Sequence, residues 1–240
     1  MDTTGYIALT RQSGLLKELQ AVANNIANIS TTGFRREGVV FAEELQALDT
    51  EGGGVSMASA RVRFTDGAGG NRSQTGGALD LAIDGPGFFM VETPNGERLT
   101  RAGSFSSNGD GDLVTMTGHR VLDSGGAPIF IPPDVGTVGI AKDGTVSANG
   151  RLIAQIGVFE VEDPQLLTRE DGVLFLSDAD PLPAESSFVL QGFLEGSNVN
   201  AVAEMARLIE VQRAYELGQK LMDSEDERVR SSIRTLGRAP

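Results

Sequence analysis

Helix-breaking residues are unevenly distributed along this 240-residue chain. Every proline except Pro240 lies between residues 86 and 183, and most of the glycines lie between residues 52 and 157. Proline removes a backbone donor and glycine weakens a helix, so the two ends can form long helices while the centre is rich in turns. The sequence therefore predicts an α+β fold, in which an all-β middle domain is flanked by N- and C-terminal helices.

The N-terminal helix is predicted over residues 3–28. Its apolar residues fall on one stripe at helical spacing, and the members that we expect at a subunit seam are Leu16, Leu19, Val22 and Ile26. Asn24, Asn25 and Asn28 are weak helix formers near its end. These asparagines are either hydrogen-bonding groups between subunits or part of a fraying last turn.

The C-terminal helix is predicted over residues 198–236, with Ser197 or Asn198 as its cap and Glu204 facing the positive end of the helix dipole. Its apolar stripe recurs about every 3.5–4 residues, which suits a coiled-coil seam. The seam candidates on this helix are Met205, Leu208, Val211 and Tyr215. Gln212 and Arg213 lie either on a solvated face or at the same interface.

An isolated terminal helix of this length is marginally stable in water. We therefore expect the two terminal helices to pair as a coiled-coil-like domain and to become ordered only within an assembly. The predicted boundaries are residues 1–36 for the N-terminal helix, 37–76 for a linker with one strand over 59–64, 77–195 for the β-rich domain and 196–240 for the C-terminal helix.

Tight turns dominate the middle of the chain. Asn-Gly or Asp-Gly pairs begin at Asn95, Asn108, Asp143 and Asn149, and residues 79–84 alternate between apolar and polar side chains. Such pairs are the strongest short-range signal for β-hairpins, because both residues tolerate the left-handed backbone of the favoured turns. Each of these four pairs is predicted to connect two antiparallel strands.

Composition excludes several classes of site. The chain has no cysteine, no tryptophan and one histidine, so it lacks a disulfide scaffold, thiol catalysis and any site that needs two histidines. A net charge of −13 makes nucleic acid a poor partner. No recognisable active-site constellation, phosphate loop or calcium loop is present. We therefore predict that the protein is not an enzyme and has no cofactor or metal.

Three blocks of residues resemble a known family. They are NNIAN at 24–28 with TTGFR at 31–35, LDLAIDGPGFF at 79–89 with TRAGSF at 100–105, and LEGSNVN at 194–200. In this order they resemble the axial proteins of the bacterial flagellum, specifically the basal-body rod proteins. Within that family the chain looks most like the proximal rod proteins.

The resemblance implies a structural subunit that polymerises into the helical drive shaft joining motor to hook. It implies contacts with copies of itself, with other proximal and distal rod proteins and with the flagellar export apparatus. It also implies export without a cleaved signal peptide, in keeping with a sequence that shows neither a signal peptide nor a membrane-spanning stretch. The protein would then lie in the periplasmic rod of the basal body.

Two alternatives remain open at this point. A distal rod subunit of the same family would share the three blocks. A stand-alone β-domain that acts as a binding module or an enzyme would need a concave site with convergent polar groups.

Overall fold

A computed structural model describes residues 3–46, 55–132, 136–163 and 167–237. The two helices are α1 (Thr3–Ala27) and α2 (Ala201–Leu236). The strands, in chain order, are β1 (Glu37–Gln46), β2 (Val55–Thr65), β3 (Arg72–Gln74), β4 (Leu81–Asp84), β5 (Phe88–Thr93), β6 (Gly96–Thr100), β7 (Phe105–Ser107), β8 (Leu113–Thr115), β9 (Arg120–Val121), β10 (Val138–Ile140), β11 (Thr145–Ala148), β12 (Arg151–Gln155), β13 (Val158–Glu160), β14 (Leu167–Asp171), β15 (Leu174–Ser177), β16 (Leu182–Pro183), β17 (Phe188–Gln191) and β18 (Phe193–Glu195). Helices at both ends of a mostly β middle region confirm the α+β prediction.

The chain divides into two compact units. The helical unit comprises Met1–Ala27, Glu37–Phe64 and Asn200–Pro240, and the β unit comprises Asn28–Arg36 and Thr65–Val199. Residues 37–76, which we expected as a linker with one strand, contain β1 and β2, which pair with each other, and β3. The domain boundaries given above stay a prediction.

The β unit contains one large sheet and three smaller ones. The large sheet has the order β14-β15-β6-β5-β9-β8-β7, and β13 joins it by pairing with both β5 and β16. The smaller sheets are β10-β11-β12, β17-β4 and β18-β3. Strand β18 is the last element before the C-terminal helix, and it pairs antiparallel with β3 through Phe193–Gln74 and Glu195–Arg72.

The four predicted hairpins are confirmed. Asn95-Gly96 connects β5 to β6, Asn108-Gly109 connects β7 to β8, Asp143-Gly144 connects β10 to β11 and Asn149-Gly150 connects β11 to β12, and each pair is antiparallel. Asn149 and Gly150 both have positive φ, at 49° and 78°. That backbone is the one that two-residue turns of the primed type require.

Strand β5 separates two apolar clusters because successive side chains point to opposite faces of a strand. Phe89 and Val91 belong to the larger cluster, whereas Met90 belongs to the smaller one. The ring of Phe89 meets Phe105 edge-to-face at 5.2 Å between centroids, and Phe88 meets Phe175 in the same way at 5.7 Å. These aromatic contacts stabilise the large sheet, which contains β5, β7 and β15.

Candidate subunit interface

Helices α1 and α2 pack against each other in the helical unit. The two helices are in contact, and Leu15, Ala21 and Val22 of α1 and Val211 of α2 are buried. The side-chain amide of Gln12 donates from Nε2 to the carbonyl oxygen of Tyr215 over 2.9 Å. Gln12 therefore lies beside Tyr215, while Asn25, thirteen residues later, lies beside Glu204, so the helices run antiparallel.

Asn25 is completely buried and connects three elements of the helical unit. Its Nδ2 donates to the carbonyl of Glu37 at the start of β1 over 2.8 Å and to Oε2 of Glu204 in α2 over 3.1 Å. Its Oδ1 accepts from the backbone N–H of Glu37 over 2.8 Å. An amide satisfied on both its oxygen and its nitrogen suits a buried position, because unpaired polar groups are costly there. Asn25 is thus held in place by three hydrogen bonds and is not part of a fraying turn.

A salt bridge crosses the same helix pair. Nε of Arg207 donates to Oε1 of Glu18 over 2.7 Å, and Nη1 donates to Oε2 of Glu210 over 2.8 Å. Burial lowers the pKa of Arg207, but hydrogen bonds to Glu18 and Glu210 outweigh it, so that the pKa is raised overall. Glu18 itself is almost fully buried. This pair fixes which residues of α1 face which residues of α2.

The cap of α2 differs from the prediction. Asn200 is the N-cap, and its Oδ1 accepts from the N–H groups of Val202 and Ala203, both over 3.1 Å. The prediction of Ser197 or Asn198 is therefore wrong by two or three residues. Asn198 is instead used in the β unit, where its Oδ1 accepts from the backbone N–H of Arg36 over 2.6 Å and its Nδ2 donates to the carbonyl of Ala68 over 2.9 Å.

The predicted seam residues fall into three groups. Val22, Asn25 and Val211 are buried within the chain. Half-buried positions are Leu19, Asn24, Ile26, Leu208 and Tyr215. The residues exposed on the chain are Leu16, Met205, Gln212 and Arg213.

The third asparagine of the predicted set lies in the β unit. Asn28 is half-buried there, and its Oδ1 accepts from the hydroxyl of Thr31 over 2.9 Å. It therefore belongs to the turn after α1 and not to the packed face of that helix.

Four residues of the helix pair lie outside the predicted seam: Gln12, Glu18 and Arg207, together with Glu204, which was expected only to face the helix dipole. Three of them are charged and one is a polar amide, so an apolar-periodicity argument passes over them. For Glu18 and Glu204, the spacing along each helix gives a usable signal. Leu15, Glu18, Val22 and Asn25 recur at steps of three and four, as do Glu204, Leu208, Val211 and Tyr215.

Several large apolar side chains remain exposed on the described helices. The most exposed of them are Leu9 and Leu16 on α1 and Val202, Met205, Ile209, Leu217, Leu221 and Ile233 on α2. Single exposed apolar residues are ordinary, whereas a continuous apolar surface marks a protein–protein interface. On α2, Val202, Met205 and Ile209 recur at steps of three and four, so these three share one face of the helix. We refer to these three residues, together with the exposed Leu9 and Leu16 of α1, as the outer apolar face.

In the β unit, the residues that follow α1 in the sequence lie next to the residues that precede α2. Nη2 of Arg35 pairs with Oε1 of Glu195 at 2.8 Å, and the two side chains are each 3% exposed. The backbone N–H of Gly33 donates to the carbonyl of Glu195 over 2.8 Å. Arg169 donates to the carbonyl of Arg35, and its guanidinium lies 4.5 Å above the ring of Phe34. Segments 33–36 and 195–198 are thus held together by buried polar contacts.

Comparison with known proteins identifies the family. A profile described as "Flagella basal body rod protein" matches residues 6–35, one described as "Flagellar hook protein FlgE/F/G D1 domain" matches 82–148, and one described as "Flagellar basal body rod FlgEFG protein C-terminal" matches 190–235. The flagellar basal-body rod protein FlgF of Caulobacter vibrioides is 41% identical, with 99% of each chain covered. The chain belongs to the flagellar basal-body rod protein family. FlgF of Rhizobium meliloti is 40% identical, again with 99% of each chain covered. FlgG of Agrobacterium fabrum is 35% identical over 92% of this chain and 94% of its own.

The rod-family matches coincide with the contacts described above. The first matched segment, 6–35, contains Gln12, Glu18 and Asn25 of α1 and ends at Arg35. The last, 190–235, contains Glu195 and almost all of α2. In this member of the rod family, the matched ends therefore build the helix pair and the Arg35–Glu195 contact.

Within ranges 3–46, 55–132, 136–163 and 167–237, no group of three or more His, Cys, Asp or Glu side chains is placed to hold a metal ion. Over the same ranges, neither helix is long and apolar enough to cross a membrane.

Proposed function

We propose that this chain is a subunit of the proximal rod, and that it polymerises through the outer apolar face of its helical unit. Membership of the rod family makes it a structural component of the flagellar basal body. The observation that carries the proposal is the exposure of the outer apolar face, that is, of Leu9 and Leu16 on α1 and of Val202, Met205 and Ile209 on α2. A subunit that worked alone would leave this surface in contact with water.

The position in the proximal rod is supported by the relatives. Full-length similarity at 40–41% identity is to proteins named FlgF, whereas the relative named FlgG is 35% identical over a smaller share of the chain. A distal rod subunit is the second candidate, because FlgG proteins belong to the same family.

The exposed and buried seam residues have different proposed roles. Leu16 and Met205 contact neighbouring subunits, and Gln212 and Arg213 form a polar rim beside them. Val22, Asn25 and Val211 shape the helix pair from within, while Leu19, Asn24, Ile26, Leu208 and Tyr215, all half-buried, lie at its edges. Asn28 lies outside the helix pair, in the turn that follows α1.

Assembly is proposed to follow from a head-to-tail contact repeated with a fixed rotation, which generates a helix and not a closed ring. The step of three and four residues on the packed face of α2 supports coiled-coil-like pairing of α1 with α2. Family membership supports export by the flagellar export apparatus and contacts with the other rod proteins. This role requires no substrate, turnover or cofactor.

Replacement of Met205 by aspartate tests the proposal. Met205 is 50% exposed, so Met205→Asp is expected to leave the folded chain intact. Against a neighbouring subunit, the new carboxylate would be buried without a partner at a cost of several kcal/mol. We expect the variant to be absent from purified basal bodies, and swimming in soft agar to be lost.

The matched control is Met116→Asp, which places the same charge at a methionine of the β unit that is 77% exposed. This control variant is expected to be incorporated and to support swimming. Normal incorporation of Met205→Asp, with its circular dichroism unchanged, would show that the outer face of α2 is not an assembly contact.

A further inference from the structure

The β unit contains a cavity of about 410 Å³ next to the Arg35–Glu195 pair. It is lined by Gly70, Arg72, Asp84, Gly85, Arg101 and Glu195, among others. All of its lining residues belong to the β unit, so the properties of the cavity are independent of the proposed role of the helices. Its lining includes two arginines and two carboxylates, so the recess is highly charged.

Arg101 is the unusual member of this lining. It is 7% exposed, and Nη2 donates to the carbonyl of Gly85 over 2.7 Å. Nη1 lies 3.6 Å from Oε2 of Glu195, which is within ion-pair range but too far for a hydrogen bond. Among the described residues, neither Nε nor Nη1 of Arg101 has a hydrogen-bond acceptor. Buried charged donors rarely stay in this state without an ion or water to accept from them.

Neither carboxylate of the cavity accepts a hydrogen bond from Nε or Nη1 of Arg101. Oε1 of Glu195 accepts from Arg35 over 2.8 Å and from the backbone N–H of Gly70 over 3.0 Å. Asp84 is paired with Arg72, and both of those side chains are about half exposed. Part of the guanidinium of Arg101 therefore has no hydrogen-bond acceptor among the described residues.

The charges around Arg101 also favour an additional anion in the cavity. Burial lowers the pKa of Arg101 to about 10; Glu195 raises it, while Arg35 and Arg72 lower it further. Two neighbouring cations thus oppose one neighbouring carboxylate. A single additional negative charge would balance this group, and the volume is large enough for a carboxylate together with the carbon atoms that bear it.

We propose that the cavity binds a carboxylate, whose negative charge pairs with the guanidinium of Arg101 while Arg72 contributes at the rim. The guanidinium is suited to this ligand because it presents planar donors to a planar acceptor. The carboxylate belongs either to a small free acid or to an aspartate or glutamate side chain of a second copy of this chain.

Titration of the full-length chain with sodium acetate tests the site. The N–H resonance of Nε of Arg101 is followed by ¹H–¹⁵N NMR and is assigned by its absence from the Arg101→Lys variant. Acetate is expected to shift it saturably, whereas sodium chloride at equal ionic strength is not. No saturable shift with acetate, or the same shift with chloride, would overturn the proposal.

Two variants at half-exposed positions keep the test independent of any folding defect at Arg101. Removal of one charge near a binding site changes an interaction by about 1 kcal/mol, which is about fivefold in affinity. Arg72→Gln is expected to weaken acetate binding about fivefold, and Asp84→Asn to strengthen it by a similar factor. Equal affinities of the two variants for acetate would contradict a carboxylate site that is lined by Arg72 and Asp84.

Sedimentation of the same samples distinguishes the two sources of the carboxylate. If acetate dissociates oligomers of the chain, the natural ligand is a side chain of a second copy. If acetate binds without changing the oligomeric state, the ligand is a free carboxylate.

Discussion

Replacement of Glu195 by alanine is expected to lower the free energy of unfolding of the β unit by about 3–5 kcal/mol, the cost of leaving a buried charge without its partner. Glu195 is 3% exposed and pairs with Arg35, which is equally buried, and with Arg101. Burial already lowers the pKa of Arg35, and the charge of Glu195 raises it again. Without Glu195, both guanidinium groups lose the carboxylate that offsets their desolvation.

Urea unfolding followed by far-ultraviolet circular dichroism measures this effect, with hydrogen exchange used to locate it in the β unit. The control is Glu92→Ala, which removes a carboxylate paired with Arg120 at 2.7 Å between side chains that are both about half exposed. Exposed pairs contribute about 1 kcal/mol or less. Similar losses in the two variants would show that the Glu195 cluster does not hold the β unit together.

Replacement of Gly33 by alanine is expected to cost about 2–5 kcal/mol, the sum of backbone strain and overpacking. Gly33 has φ of +70°, and an added Cβ would lie 2.3 Å from the backbone nitrogen of Ala102 and the backbone carbon of Arg101. Because these are backbone atoms, they cannot swing aside as a flexible side chain would. The N–H of Gly33 would then lose its hydrogen bond to the carbonyl of Glu195.

Gly76→Ala separates the two contributions. Gly76 has nearly the same φ, +74°, but no heavy atom lies within 4 Å of its added Cβ among the described residues. This variant is expected to lose about 1–2 kcal/mol, from left-handed backbone strain alone. Thermal unfolding measures both. An equal loss in the two variants would mean that the close approach of Gly33 to Arg101 has no energetic weight.

The elements that sequence could predict are those specified by local chemistry. The four Asn-Gly and Asp-Gly turns depend on two adjacent residues, and all four connect the expected strands. Helix α1 ends within one residue of its predicted position, because residues 30–33 leave no helix-compatible continuation. The family was also accessible, since its motifs are contiguous blocks.

The elements that sequence could not predict depend on partners far along the chain. Asn198 and Asn200 are chemically equivalent as caps, and the choice of Asn200 follows because Asn198 is held by Arg36, 162 residues away. Likewise, the inner face of α1 contains Gln12, Glu18 and Asn25, which are acceptable there only because α2 and β1 supply matching groups. The apolar stripe alone therefore predicts only part of the packed face of α1, because it omits these polar residues.

Chemical cross-linking within isolated basal bodies tests the central claim most directly, that the outer face of the helical unit joins neighbouring subunits. The natural chain has no cysteine, so introduced thiols are its only reactive sites. A short bismaleimide applied to the double variant Leu16→Cys/Met205→Cys is expected to give a ladder of multimers. The variant Met116→Cys is expected to remain monomeric. A monomeric double variant alongside cross-linked Met116→Cys would contradict assembly through the terminal helices.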